Sequence, residues 1–347
     1  MFRIREATRD DQRALADLES VSPQGDSLQI LIEREDYFYR SALLGRGKVL
    51  LAEEDGRVVG VMAYALKDVL LSGSPTRAAY FYDLRAAPDY RRSMRRGLYR
   101  LWKATEAEAI AGGAALFYGF VKEDNSASLR VTAKGGASPV GTFGILSLSS
   151  LPRRESSPLP PLAEGEIPLG IQAVEEASAG HDLRPLDLSE IYRRGRELGY
   201  LRGIWRLDDG RSFAQASVWN LSRVYRGVVL RMPASLTLLR LALNPFAAIF
   251  PLPRVPRVGE RVASWTLFDL LRGGSNGEGL LDRLIRRLQH QAAEEDIQLL
   301  TAFSYLDPPG TPLPRRFLGK LLRYRTMVKP IAAPLPEGPL YLDVRDA

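Results

Sequence analysis

The chain has 347 residues, of which 45% are apolar and 26% charged, and it carries a formal net charge of +7 and no cysteine. The absence of cysteine excludes disulfides, a thiolate nucleophile and cysteine-ligated zinc or iron–sulfur centres. The two histidines, His181 and His290, lie far apart in sequence. This distance argues against a histidine-rich metal site, and we predict no metal.

The net positive charge favours binding of an anionic ligand, but it also favours binding of nucleic acid or of an anionic membrane surface. Charges interrupt the N-terminal sequence from residue 3, and no stretch of about 20 residues lacks charge and proline. We therefore expect no signal peptide, no membrane span and a cytoplasmic protein. Monomer and dimer both remain open.

The first sixty residues predict strands and helices in alternation. Residues 2–7 alternate as a strand, and Thr8 is placed to cap a short helix. Apolar spacing predicts a second helix over 27–44. Two β-rich runs, 48–53 and 58–64, flank the turn pair Asp55-Gly56 and predict a hairpin.

A strand, a cationic turn and a helix follow one another between Tyr80 and Trp102. The apolar run 80–87 predicts a strand that stops at Pro88, and a helix is expected from Gly97 to about Ala111. The free N–H groups at the start of a helix favour an anion, and guanidinium groups add charge-assisted donors. This stretch therefore predicts a phosphate site that uses the arginines of the turn: Arg91, Arg92, Arg95 and Arg96.

The remaining elements divide the chain into two domains. A buried strand is expected over 114–121, a helix capped by Asn125, and a further β region over 139–148. Prolines crowd residues 150–168 and predict a linker. We therefore expect an N-terminal domain over 1–149 and a C-terminal domain over 169–347.

The second half repeats the order of elements in the first. Asp209 follows Asp55 by 154 residues, in a second Asp-Gly-Arg hairpin, and Asp269 follows Asp83 by 186. The shared order of the elements makes a duplication a better explanation than chance similarity. The 32-residue difference predicts an insertion in the second copy. We place it at the apolar segment near 228–256, which we expect to pack on the core or between domains, or else to line an apolar pocket or touch a membrane.

The first half resembles the GCN5-related N-acetyltransferase (GNAT) superfamily. Its loop pattern of strand, Arg-x-x-Gly-x-Gly and helix is approximated by Arg91 or Arg92, although Met94 and Arg96, or Arg95 alone, stand where glycine is expected. Asn125 and Ser128 fit a later Asn-x-x-Ser motif, and Thr132 stands at the position of the family's tyrosine. The resemblance covers residues 2–148, and the second half is similar more faintly, with Gly277 and Gly279 keeping the glycine pair.

The resemblance implies a mixed α/β fold with two tandem GNAT-like domains. It implies transfer of an acyl group, most simply acetyl from acetyl-CoA, to a primary amine. Asp83 and Asp269, which occupy equivalent places in the repeat, are then the implied general bases, although each could instead pair with a neighbouring arginine. The implied coenzyme-binding residues are Leu84, Arg85, Ala86, Arg91, Arg92, Met94, Arg95, Arg96, Gly97, Leu98, Asn125, Ser128, Gly277 and Gly279.

Two other functions remain open. Degenerate domains of this kind could sense acyl-CoA or hold a protein partner without catalysis. The arginine-rich face could instead bind nucleic acid, which we consider the less favoured reading because the cluster lies between a strand and a helix and not on a tail.

Overall fold

The computed structural model of the chain describes residues 1–21, 28–90, 95–151, 159–224, 226–246, 254–307 and 319–346. Most of its strands form one twelve-stranded mixed sheet. The strands are β1 (Phe2–Glu6), β2 (Gln29–Glu33), β3 (Gly47–Glu54), β4 (Arg57–Leu71), β5 (Ser74–Ala86), β6 (Leu116–Lys122), β7 (Ser138–Ser149), β8 (Arg184–Pro185), β9 (Leu201–Asp208), β10 (Phe213–Trp219), β11 (Arg226–Arg231), β12 (Arg261–Val262), β13 (Ser264–Gly273), β14 (Leu299–Asp307) and β15 (Gly319–Pro330).

Helices cover both faces of this sheet. In the described part of the chain they are α1 (Gln12–Ser20), α2 (Tyr39–Leu44), α3 (Arg95–Ala111), α4 (Ser126–Lys134), α5 (Ile167–Ala177), α6 (Leu188–Glu197), α7 (Ala234–Leu243) and α8 (Gly277–Glu294). Among these, none is long and apolar enough to cross a membrane.

The strand order shows how the two halves join. It runs β1-β3-β4-β5-β6-β15-β7-β14-β13-β10-β9, with β8 paired to β4. The late strand β15 lies between β6 and β7, and β7 pairs on its other side with β14. The division into domains at 150–168 stays a prediction, because the strands of both halves belong to one sheet.

The predicted repeat is visible in the backbone. The β3–β4 and β9–β10 hairpins are both formed, and the first turns on Asp55 and Gly56 at φ 50° and 80°. A β-bulge interrupts the β4–β5 ladder between Val61 and Ala63, and another interrupts β10–β13 between Gln215 and Ser217. The second bulge follows the first by 154 residues, which is also the offset between the hairpins.

The core lies on both faces of the sheet. On one face, α3 packs Leu101 and Trp102 against β4 and β5. On the opposite face, the aromatic side chains of the central strands pack with α1, α2 and the segment Leu340–Asp346. We call this last stretch the return segment, because it comes back from β15 to the strands of the first half.

One expectation from the sequence was wrong, and another stays open. The predicted helix over 27–44 is instead the strand β2 followed by the short helix α2, since β2 pairs antiparallel with β11 from the second half. Ser27 itself lies outside the described residues. How the apolar insert packs stays a prediction, because residues 247–253 lie outside the described part of the chain. Val228 and Val229 are buried, whereas α7 has no buried residue and Leu238 and Leu241 are 67% and 60% exposed.

Candidate functional site

The two parallel strand pairs of the sheet diverge partway along their length. β5 pairs with β6 from Ala78–Leu116 to Tyr80–Tyr118, and β5 then runs on to Ala86 without β6. β13 and β14 do the same in the second half, where pairing stops at Leu267–Ala302. Peptide groups on the inner edges of each divergence are thus available to a ligand.

Asp83 lies on the β5 side of the first divergence, at a position of unusual backbone conformation. Its φ is 54°, which Asp tolerates better than most residues. Its side chain is 5% exposed and accepts two hydrogen bonds from Arg34, with Nη1–Oδ2 and Nη2–Oδ1 distances of 2.6 and 2.8 Å. Arg40 Nη1 lies 3.6 Å away.

These arginines reverse the pKa expected for a buried acid. Burial by itself raises the pKa of Asp83, but the charge and hydrogen bonds of Arg34, with Arg40 and Arg85, hold it well below its usual range. Glu19 completes the cluster, with Oε2 at 3.1 Å from Arg34 Nε and Oε1 at 2.7 Å from Arg85 Nη2. Asp83 thus favours its anionic form and orders Arg34, and its pKa is lowered where the sequence predicted that burial would raise it. Its role as a general base stays a prediction.

Asp269 occupies the equivalent bulge of the second half in a different setting. Its φ is 50°. Its carboxylate accepts hydrogen bonds from the hydroxyls of Tyr192, Tyr341 and Ser217, the latter two at 2.7 and 3.2 Å. Burial raises the pKa of Asp269, and these neutral donors oppose the shift only in part.

The return segment brings two further carboxylates to the first divergence. Lys67 of β4 is 3% exposed, and its Nζ lies 2.5 Å from Asp343 Oδ2 and 2.6 Å from Asp346 Oδ1. Tyr118 donates to Asp346 Oδ2 at 2.8 Å, and Tyr80 donates to the backbone oxygen of Asp346 at 2.6 Å. Asp346 therefore lies at the last paired position of β5 and β6.

The pKa directions separate these two carboxyls. Burial raises the pKa of Asp346, and Lys67 offsets only part of that effect. Burial also acts on Asp343, but Arg345 and Lys67 outweigh it and hold its pKa below the usual range. Of the two, Asp346 is the carboxyl whose pKa is raised.

A row of aromatic rings fills the same face between the two divergences. Tyr80 contacts Phe120 with ring centroids 5.6 Å apart, Phe120 contacts Phe143 at 4.7 Å, and Phe143 contacts Phe303 at 6.4 Å. Phe303 stacks on Phe268, next to Asp269, at 4.6 Å. These contacts join the rings in one row from Tyr80 to Phe268.

The turn before α8 is closed by the hairpin that faces it. Asn276 donates from its backbone N to Ser212 Oγ at 3.1 Å and from Nδ2 to Asp209 Oδ2 at 3.0 Å. A Cβ on Gly274 would lie 2.3 Å from the carbonyl oxygen of Arg211. Gly277 and Gly279 therefore begin a helix whose first turn faces Asp209, an arrangement that disfavours a diphosphate.

The predicted coenzyme-binding residues of the first half are placed as follows. Leu84 is exposed, Ala86 is buried, and Arg85 contacts Glu19. Gly97 and Leu98 lie in the first turn of α3. Asn125 caps α4 by accepting from the backbone N of Ser128 at 3.0 Å.

Part of the arginine-rich turn lies outside the described residues. Arg91, Arg92 and Met94 lie outside the described residues, and Arg95 and Arg96 are placed in α3 by backbone alone. The turn leads from the end of β5 into the start of α3, as the sequence predicted.

The sequence did not single out Lys67, Arg34 or the return segment. Lys67 is the one signal that could have been noticed, because a charged residue interrupts the apolar run of β4. Its partners lie more than 270 residues away, and no local pattern connects them. Thr132 hydrogen-bonds to the carbonyl oxygens of Ser128 and Leu129 within α4, and so belongs to the helix.

The N-terminal part of the chain matches a known protein family. Residues 3–124 match the family described as Acetyltransferase (GNAT) domain. That range contains β1 to β6, and thus the first divergence and the turn that precedes α3. No curated protein sequence matches the chain.

Solved structures share the fold at low sequence identity. N-myristoyltransferase from Saccharomyces cerevisiae with bound myristoyl-CoA aligns over 100% of this chain and 82% of its own, with a TM-score of 0.61 and 10% identity. A GCN5-related N-acetyltransferase from Sphaerobacter thermophilus aligns over 96% of this chain and 97% of its own, with a TM-score of 0.52 and 14% identity. The mixed α/β fold predicted from the sequence is confirmed.

Proposed function

We propose that this chain, whose residues 3–124 form a GNAT domain, is an acyl-CoA-dependent N-acyltransferase that transfers, in the simplest case, acetyl from acetyl-CoA to a primary amine. The observation that carries the proposal is the divergence of β5 and β6, with Tyr80, Tyr118 and Asp346 at its vertex. A thioester carbonyl lying in this gap would meet both peptide donors and a proton acceptor.

The coenzyme is assigned to the first half. The unpaired edge of β5 beyond Tyr80 supplies peptide groups for the pantetheine arm. The turn that follows supplies Arg91, Arg92, Arg95 and Arg96, and the first turn of α3 adds free N–H groups for the diphosphate. The equivalent turn before α8 faces Asp209, which supports the first half as the only coenzyme site.

The chemistry requires a base for the incoming ammonium and a proton for the departing thiolate. Asp346 suits the base, since its pKa is raised and it lies at the vertex. Burial raises the pKa of Tyr118 well above its usual value, so the phenol stays protonated and can donate. Asp83 positions Arg34, and Asp269 remains a second candidate base on the other side of the aromatic row.

A short acyl group fits this site better than a long one. The aromatic row that begins at Tyr80 and Phe120 occupies the face onto which a long chain would extend. Since N-myristoyltransferase with bound myristoyl-CoA shares the fold, a long-chain donor is the natural alternative to test.

Thiol release from acetyl-CoA and myristoyl-CoA, measured across a panel of primary amines, tests the proposal. We expect release with acetyl-CoA and at least one amine, and a loss of about 10²-fold or more in kcat for Asp346→Asn. The affinity for acetyl-CoA should change little in that variant. Asp296→Asn, which changes a carboxylate that is 88% exposed in the second half, is the control.

Two results would overturn the assignment. Binding of acetyl-CoA without turnover on any amine would favour a sensing module, which the ion pairs around Asp83 and Asp346 make the strongest alternative. Binding of nucleic acid in place of acetyl-CoA would favour the arginine-rich face as a nucleic-acid site. Preference for myristoyl-CoA would overturn only the acyl-chain assignment.

A further inference from the structure

A cavity of about 620 Å³ adjoins the ion pairs around Asp343 and Asp346, because Lys67 and Arg345 line it. The end of the β4–β5 hairpin, the C-terminal end of α2, helix α6 and the return segment meet there. Its volume falls in the range of small-molecule sites. It adjoins the start of β5 at Pro75–Arg77, roughly 30 Å by strand rise from Ala86, where β5 leads into the arginine-rich turn.

In one wall of the cavity, two guanidinium groups form ion pairs with the same carboxylate. Arg46 Nη1 lies 3.0 Å from Asp68 Oδ2, and Arg77 Nε lies 2.9 Å from Asp68 Oδ1. Each of the three residues lines the cavity. One positive charge of this wall therefore has no counter-charge.

Arg194 of α6 supplies a further cation. It lines the cavity and is half-buried, and its guanidinium has no direct hydrogen-bond or ion-pair partner among the described residues, although its charge acts on Glu190 one turn earlier. Its Nη1 lies beside Gly45, where a Cβ would be only 2.9 Å away. The glycine thus leaves room for the guanidinium at the edge of the cavity.

The acids that line the same cavity are already engaged. Glu190 is bound by Arg193 at 2.5 Å, and Asp187 lies 3.4 Å from Arg345. Arg193 does not line the cavity and pairs with both Glu190 and Glu197. The charged residues that line the cavity are five cations and three carboxylates, so its wall has an excess of positive charge.

We propose that this cavity binds a small ligand carrying a phosphate or carboxylate group, through Arg46, Arg77 and Arg194. Guanidinium groups are suited to this task because their planar donors match both oxyanions in a bidentate manner. The inference does not depend on the proposed acyl transfer, since none of Arg46, Arg77 and Arg194 is assigned to the coenzyme or to the reaction.

Calorimetric titration of the full chain with pyrophosphate and with citrate tests the inference. We expect at least one of the two to bind, and Arg194→Ala and Arg77→Ala each to weaken that binding about tenfold or more. Arg193→Ala is the matched control, one residue away on the same helix, and should leave the affinity within about twofold. The ratio of the two affinities distinguishes a phosphate ligand from a carboxylate ligand.

Arg194→Lys and the affinity for acetyl-CoA complete the test. The lysine variant keeps the charge, so it should retain part of the anion binding and show that Arg194→Ala has not merely misfolded. Acetyl-CoA affinity should be the same in Arg194→Ala and the unaltered chain. The proposal is overturned if neither anion binds, if Arg193→Ala weakens binding as much as Arg194→Ala, or if Arg194→Ala also weakens acetyl-CoA binding.

Discussion

Asp83 and Asp269 occupy the same place in the two halves of the molecule, and their surroundings give them opposite chemistry. Both lie within a β-bulge, both have positive φ, and both are buried. Asp83 is bound by Arg34, which lowers its pKa, whereas Asp269 is bound by hydroxyls and keeps a raised one.

The difference shows that the backbone and the chemistry of the repeat are separable. The bulge and its offset are set by strand register, which both halves share. The partners of each carboxylate come from elements that differ between the halves: Arg34 follows β2, and Tyr341 lies in the return segment. Equivalent position in a repeat therefore does not imply equivalent function.

The largest effect is expected from Asp83→Asn. It leaves the Arg34 guanidinium, whose side chain is 4% exposed, without its bidentate partner. We expect a loss of about 3–5 kcal/mol in the free energy of unfolding, measured by urea denaturation. Asn tolerates positive φ, so the backbone contributes little.

Asp269→Asn is the matched control for that experiment. The amide can still accept from Tyr341 or Ser217, and we expect a loss within about 1–2 kcal/mol. Equal losses for the two variants would show that the electrostatic difference between the halves has no energetic consequence.

Lys67→Met should have the next largest effect. It leaves Asp343 with Arg345 alone and removes the cation from Asp346. We expect a loss of about 2–3 kcal/mol and faster amide exchange within the return segment, as measured by hydrogen–deuterium exchange. Unchanged exchange there would mean that Lys67 does not hold the segment in place.

The two aspartates predict opposite pH dependences. The lowered pKa of Asp83 contributes stability above the unfolded value of 3.8, and this contribution is lost as pH falls through the folded pKa. The raised pKa of Asp269 contributes stability below 3.8, and this contribution is lost as pH rises through its folded pKa.

Urea denaturation at several pH values checks both directions. The loss of unfolding free energy in Asp83→Asn, relative to the unaltered chain, should become smaller below about pH 4. The unfolding free energy of Asp269→Asn should rise relative to that of the unaltered chain as pH rises above that value. Parallel curves for all three proteins would contradict the assigned pKa directions.

Gly119→Ala should have the smallest effect. It gives the first half the residue that the second half has at the equivalent position. Ala302 stands at the equivalent position and pairs with Leu267, whereas a Cβ on Gly119 would lie 2.9 Å from the carbonyl oxygen of Phe81. We expect a loss of about 1 kcal/mol in unfolding free energy. In the control Gly180→Ala, the new Cβ meets nothing within 4 Å, and the unfolding free energy should change little. Equal changes for the two variants would show that β5 and β6 accommodate a Cβ at Gly119 without strain.

Local chemistry explains which elements the sequence predicted. The hairpins at Asp55-Gly56 and Asp209-Gly210, the strand before Pro88 and the cap at Asn125 are set by residues close in sequence, and all are confirmed. The strand β2 was taken for helix because its apolar spacing is ambiguous, and its partner β11 lies almost 200 residues later.

The site was harder to predict than the fold because its contacts are long-range. Asp83 was identified by its place in the repeat, but Arg34 comes from 49 residues earlier. Lys67 and Asp346 are 279 residues apart. Burial and partner identity decide their pKa values, and neither follows from sequence spacing.

Calorimetric titration with acetyl-CoA tests the central claim, that one half binds the coenzyme and the other does not. We predict one equivalent bound per chain, binding weakened about tenfold or more by Arg91→Ala combined with Arg92→Ala, and unchanged binding for the corresponding change in the second half, Arg272→Ala. Two equivalents, or a loss of binding with Arg272→Ala alone, would contradict the account.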